Sequence, residues 1–195
     1  MKKIFPFLLF ILCAPHLFAQ HGSSFGLAYS ISFPMGNMHD YITKTSFRGV
    51  EMEYNHHIKS DFTLGLESGW NTFYERVDKK TYTDGTASIS GVQYRYTNTV
   101  PIIANGRYIK TGGKAEPFVG VGLGVLYVDR ATDFGLYRIS NNAWQFCVRP
   151  ELGVMLKSDR GVTGLISAKY YSAFDSDNLS GQPYLSLNIG LLWGN

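Results

Sequence analysis

Eight charged residues carry most of the chemistry this chain could do: Glu51, Glu53, Glu67, Arg95, Arg107, Arg149, Glu151 and Lys169. Four acids and four bases could relay protons, act as general acid and base, or neutralise one another as internal salt bridges. Their spacing favours the last. Leu64 and Leu66 share one face of a period-two segment while Glu67 takes the other, and Val148, Leu152 and Val154 oppose Arg149 and Glu151. A soluble sheet cannot build its core from such a polar face, because each unpaired buried charge costs several kcal/mol. A membrane barrel reverses the polarity, giving the apolar face to lipid and the polar face to the lumen. Balanced signs then predict a salt-bridge network that fills the lumen and leaves no open pore, since an eight-stranded barrel is just wide enough for side chains to fill.

Other arrangements are weaker. The row Gly120, Gly122 and Gly124 has nucleotide-loop glycines but strand spacing, with no helix after it to meet a phosphate, so it is expected to line the lumen and make room for long side chains opposite. His56 and His57 are neighbours in a strand and point to opposite faces, which prevents joint chelation. No metal and no cofactor is expected. Some small barrels act on lipid A, which needs a His and a Ser or acid together on one rim. His39 with Asp40, and Ser172, Asp175 or Ser176, are the remaining candidates, and they read better as solvated loop residues. Asn178-Leu-Ser180 matches a glycosylation sequon of little weight here. The expectation is no enzyme.

The elements that must position these residues follow from the same alternation. Strands are predicted at 23–33, 47–58, 62–74, 91–108, 117–128, 143–156, 162–171 and 183–194. Connections after the second, fourth and sixth are tight, whereas 34–46, 75–90, 129–142 and 172–182 are longer and polar. Short periplasmic turns alternating with longer extracellular loops, over an even strand count, predict an all-β, eight-stranded antiparallel up-and-down transmembrane barrel. Phe25, Leu27, Tyr29, Ile31 and Phe33 face one way on the first strand and small polar residues the other; Leu185 to Trp193 repeat this on the last, which must pair with the first to remove both edges. Outward aromatics collect at strand ends and predict two girdles, Phe25, Phe62, Tyr108 and Trp193 on the periplasmic side and Phe33, Trp70, Tyr127, Trp144 and Tyr170 on the other. His56, Ser68 and Asn98 fall on the outward parity against the pattern. Pro101 and Pro150 read as bulge sites, and Leu165 competes with Ile166 for the lipid face.

Residues 1–19 read as a signal peptide: Lys2 and Lys3, an apolar run from Ile4 to Leu12, and Ala19 before a mature start at Gln20. Leu12 before Cys13 disfavours a lipid-attachment site. The remaining residues, 20–195, suit one domain. Removing Lys2 and Lys3 leaves 16 basic against 15 acidic residues, which gives nucleic-acid binding no support. Cys147 is then the one cysteine, so no intramolecular disulfide framework is possible. The predicted location is the outer membrane, with its lipid and lipopolysaccharide as partners and barrel assembly machinery during insertion.

The segment Thr99-Val-Pro-Ile-Ile-Ala-Asn-Gly-Arg-Tyr108, followed by Glu116-Pro-Phe-Val-Gly-Val-Gly-Leu-Gly-Val125, resembles paired strands of the outer-membrane β-barrel domain family of Bacteroidota, the PorT-like small barrels. Ile31-Ser-Phe-Pro-Met-Gly36 and Arg149-Pro-Glu-Leu-Gly-Val154 extend the resemblance over most of the mature chain. It implies an integral outer-membrane protein without shared catalytic residues, and permits a role as an accessory component of a secretion or assembly machine. The residues themselves favour a barrel whose loops serve surface contact or envelope integrity. Tyr41, Tyr82, Phe134 and Tyr137 stand among Lys44, Lys79, Lys80, Arg130 and Arg138, a mixture suited to an extracellular protein or lipopolysaccharide headgroups.

Overall fold

The structure, a computed structural model, describes residues 22–84, 87–135, 137–158, 161–176 and 179–194, without the side chains of 79–84 and 87–90. The expected signal peptide and Asn178 lie outside the described residues, as do the side chains of Lys79, Lys80 and Tyr82. Eight strands run in order: β1 Ser23–Pro34, β2 Ser46–Lys59, β3 Phe62–Asp84, β4 Ala87–Ile109, β5 Ala115–Phe134, β6 Tyr137–Lys157, β7 Val162–Ala173 and β8 Tyr184–Gly194. All neighbours pair antiparallel, and β1 pairs β8 from Ser24↔Gly194 to Pro34↔Tyr184, closing the ring. Closure leaves no strand edge in lipid, where unsatisfied backbone groups cost several kcal/mol each. Gly112 and Gly161 adopt φ of 125° and 74° in two of the tight turns, a region that L side chains rarely enter.

The outside is apolar where the alternation requires it. Leu64, Leu66, Val119, Val121, Leu152 and Ile189 are all exposed, Leu152 by 62%. The Leu165–Ile166 competition resolves with Ile166 outward at 51% exposure and Leu165 inward at 1%. Neither proline makes a bulge. Pro101↔Leu126 and Val121↔Pro150 lie in unshifted ladders. On their other sides, pairing lapses around each proline and resumes in the same register, as the loss of one donor requires. The shifts fall instead between Ser30 and Ser32, His57 and Lys59, and Val77 and Lys80.

Two of the predicted long loops are strands. The β3–β4 ladder continues to Asp84↔Ala87 and the β5–β6 ladder to Phe134↔Tyr137. Their polar composition suggested loops, but a hairpin that has left the membrane no longer needs an apolar outer face. The upper parts of β3 to β6 thus form a four-stranded sheet standing beyond the barrel rim. The first connection also departs from expectation: it folds inward as a short helix, α1 Gly36–Tyr41, which buries Met38 and Tyr41.

The interior has three tiers. At the turn end, Ile109, Phe118, Met155, Leu165 and Leu192 form an apolar cluster. At the loop end, Met38, Tyr41 and Ile42 pack with Phe73, Ile103, Leu126, Cys147 and Tyr184 in a second. The charged residues lie between them.

Candidate functional site

Glu51 and Glu53 project inward from β2, Glu67 from β3, Arg107 from β4, Arg149 and Glu151 from β6, and Lys169 from β7; none is more than 5% exposed. The register makes this gathering unavoidable. Glu53 lies directly opposite Glu67, Glu151 opposite Lys169, and Gly120 separates Arg107 from Glu151 along one ladder row. Like charges placed opposite destabilise a sheet unless a cation reaches between them.

Here Lys169 does, and two arginines join each of these acids to Glu151. Arg107 grips Glu53 with both terminal nitrogens at 2.7 and 2.6 Å and holds Glu151 through Nε at 2.6 Å. Such two-pronged contacts are the stronger kind of charge-assisted bond. Arg149 Nη1 lies 2.7 Å from Glu151 and Nη2 3.1 Å from Glu67. Lys169 Nζ is the hub, bonded to Glu51, 2.7 Å from Glu67, 3.5 Å from Glu53 and 3.9 Å from Glu151. Two neutral residues that a search for charges passes over complete the layer. Tyr171 donates to Glu67 at 2.6 Å and Glu51 at 3.3 Å, and Asn55 donates to Glu53 at 2.9 Å. Each occupies the next inward position after a charged residue, Lys169 and Glu53, so parity alone marks both.

The glycine row lies against this layer. A Cβ on Gly120 would stand 2.6 Å from Glu151 Oε1 and 2.9 Å from Arg107 Cγ, and one on Gly122 would stand 3.2 Å from Arg149 Nε. Gly124 instead packs against the Ile102–Ile103 backbone.

Arg95 does not join the other seven, so the layer holds four acids and three bases. It lies half-buried near the loop end, donating to the Tyr41 carbonyl at 2.8 Å with its guanidinium 5.1 Å from the Tyr41 ring. Arg130 sits 3.5 Å from the centre of the same ring, and the Tyr41 hydroxyl donates to the Ala131 carbonyl at 2.9 Å. Thr43 donates twice to Glu75, at 2.6 and 2.8 Å. Arg95 therefore helps fasten the first connection to the inner face of the protruding sheet.

The carboxylates Glu51, Glu53 and Glu67 approach closely enough to hold a cation, but the Lys169 ammonium already lies among them. The rim candidates do not converge either. His39 and Asp40 are exposed on α1, and Asp175 accepts from the Gly181 N–H at 2.6 Å, closing the last connection. His56 bonds Ser23 at 3.1 Å on the outer face, while His57 lines a cavity of about 450 Å³ at the turn end, with Asn55, Thr63, Met155, Lys157 and Leu192.

The nine girdle aromatics point outward. Trp70, Tyr108 and Trp144 are more than half exposed, and Tyr127 packs on Trp144 at 5.0 Å. Beyond Trp70 a polar chain crosses three strands: Trp70 donates to Thr72 at 3.0 Å, Thr72 to Asn98 at 2.9 Å, and Asn98 to Asp129 at 3.5 Å. Asn98 thus sits at the edge of the apolar belt, which explains one parity misfit; Ser68 remains within the belt.

Among solved structures the chain is similar to Neisserial surface protein A, with a TM-score of 0.56 at 12% identity over 89% of this chain and 96% of that one. It is similar to a major outer-membrane protein of Thermus thermophilus, at 0.54 and 12% over 90% and 100%. A third likeness is to Ail, the attachment invasion locus protein of Yersinia pestis, at 0.52 and 11% over 89% and 97%. No family model and no curated protein matches the chain. The fold is that of eight-stranded outer-membrane barrels, and the apolar belt of this chain suits it to that membrane.

Proposed function

We propose that the protein is a non-enzymatic outer-membrane barrel with a closed lumen, which presents its sheet outside the cell for contact with an extracellular protein or with lipopolysaccharide. The observation that carries this reading is the charged layer enclosed between two apolar clusters. Ions crossing the lumen would have to strip Arg107, Arg149 and Lys169 from their carboxylates and then pass Phe118 and Leu165 on one side or Phe73 and Leu126 on the other. Purified protein in planar bilayers is expected to give no stepwise conductance, and regular single-channel steps would overturn the closed lumen.

A second reading, an accessory role in an envelope secretion or assembly machine that the PorT-like resemblance permits, draws on the turn-end cavity. That cavity faces the periplasm and carries the Lys157–Glu116 pair at 2.7 Å. Co-purification with a large envelope complex would favour it.

A further inference from the structure

The protruding sheet ends in two lateral edges that differ in kind. On the β3 side, pairing with β2 stops at Gly49↔Asn71. Above it β3 carries Glu75, Arg76 and Asp78, Thr43 binds the Glu75 carboxylate, and the register shifts between Val77 and Lys80. Charges, a covering loop and a bulge are the usual means of preventing a strand from adding to an edge.

Among the described residues the β6 side has no bulge and no loop paired over it, and it carries one charge. Its ladder with β7 stops at Cys147↔Ala173, and one further bond runs from the Phe174 N–H to the Phe146 carbonyl at 2.9 Å. In an antiparallel strand alternate residues direct both backbone groups to the same side. Trp144, Asn142, Ser140 and Arg138 therefore aim N–H and C=O at the open edge. Among the described residues no backbone bond meets them. All residues from Tyr137 to Asn142 are exposed, and the single charge there, Arg138, lies 3.7 Å from Asp133. Ile139 and Tyr137, on the face turned toward the barrel axis, are 66% and 74% exposed.

We propose that the β6 edge from Arg138 to Trp144 binds an extended segment of an extracellular protein by strand addition. The main chain supplies the hydrogen bonds, and Ile139 and Tyr137 receive apolar side chains at alternate positions of the guest. A second copy of this chain fits poorly. Barrel strands tilt by about 35–45°, so two copies upright in one membrane would cross their β6 edges instead of aligning them. The inference rests on the reading that the sheet stands outside the cell.

Short displayed peptides selected on the detergent-folded full-length protein test it. Selected peptides are expected to lose affinity about tenfold on Ser140→Pro and on Asn142→Pro, each of which removes one edge N–H and leaves the β5 ladder intact. In the unmodified protein, the Ser140 and Asn142 amides should gain protection from hydrogen exchange when peptide binds, a readout that survives if a proline variant does not fold. Failure to select binders, equal binding to both folded proline variants, or unprotected amides would overturn the proposal. So would a dimer of this chain that Ser140→Pro abolishes, which would assign the edge to a second copy. Labelling of Ser140→Cys by a membrane-impermeant maleimide on intact cells tests the extracellular placement separately, because Cys147 is buried.

Discussion

Replacing Lys169 by Met tests the charged layer most directly. The substitution keeps an unbranched side chain of similar length and removes only the ammonium. At an effective dielectric of about 20, the contacts of Nζ with Glu67 at 2.7 Å and Glu151 at 3.9 Å correspond to about 6 and 4 kcal/mol of gross attraction. Most of that offsets the desolvation of burying the charges, so the net loss expected from removing one partner is about 3–5 kcal/mol. The remaining cations do not share the damage evenly. Glu53 and Glu151 keep Arg107, Glu67 keeps Arg149, but among the described residues Glu51 is left with the Tyr171 hydroxyl at 3.3 Å and no cation. Lys169→Met with Glu51→Gln should therefore recover about 1–2 kcal/mol of the loss through coupling of the two sites. The measurement is urea unfolding in detergent micelles, followed by tryptophan fluorescence. Lys110→Ala, at an exposed position, should change stability by no more than about 0.5 kcal/mol and serves as the reference. If Lys169→Met shifts the midpoint no further than Lys110→Ala, the ammonium is not a buried hub and the reasoning fails.

Two further substitutions probe the same layer. Gly122→Val should destabilise by about 1–3 kcal/mol in the same urea titration, because its branches meet Ile103 and the Arg149 guanidinium; Gly113→Ala, where the nearest atom to a new Cβ is 3.6 Å away, should be near neutral. Tyr171→Phe removes one donor from Glu67 and Glu51 and should cost about 1.5–3 kcal/mol, with the heat-modifiable gel shift of the folded barrel retained. Equal stability of Tyr171→Phe and the parent would mean that the phenol is not needed to satisfy those carboxylates.

The alternation was legible because lipid permits so little variation: Leu64, Leu66, Val119 and Val121 had to face out, and that fixed the inward parity of Glu67 and Arg107. Height along the barrel was much less legible. Parity assigned Arg95 to the same face as Arg107, and both do face in. But Arg95 lies far up β4, at the level of α1, where its partners are the Tyr41 ring and carbonyl. The hairpin extensions are illegible for a related reason, since outside the membrane a strand such as Tyr137 to Asn142 carries no lipid-facing signal. The inward fold of α1 had no local mark either. Six residues with no side-chain cap are held by the burial of Met38 and Tyr41, which depends on strands distant in sequence.

An apolar exterior poses a problem of specification that the charged layer is suited to solve. Lipid accepts Leu66 or Leu123 at nearly any position along a strand, so contact with the bilayer constrains register weakly. A slip of one residue inverts every side chain in the strand. For β2 it would turn Glu51 and Glu53 outward, leaving two carboxylates in hydrocarbon with no cation, and for β6 it would take Arg149 and Glu151 into lipid, away from Glu67 and Arg107. A slip of two keeps parity but moves Glu53 away from Arg107 and Gly120 away from the space that Glu151 and Arg107 occupy. Both errors are costly, and the cost comes from the inside. The direct opposition of Glu53 and Glu67 would be a defect in an isolated sheet; here it becomes a condition that only the register delivering Arg107, Arg149 and Lys169 to the same level can satisfy. On this argument the network contributes at least as much to choosing the native pairing as to the depth of the folded state, so its disruption should broaden the population of barrel conformers as well as lower the unfolding midpoint.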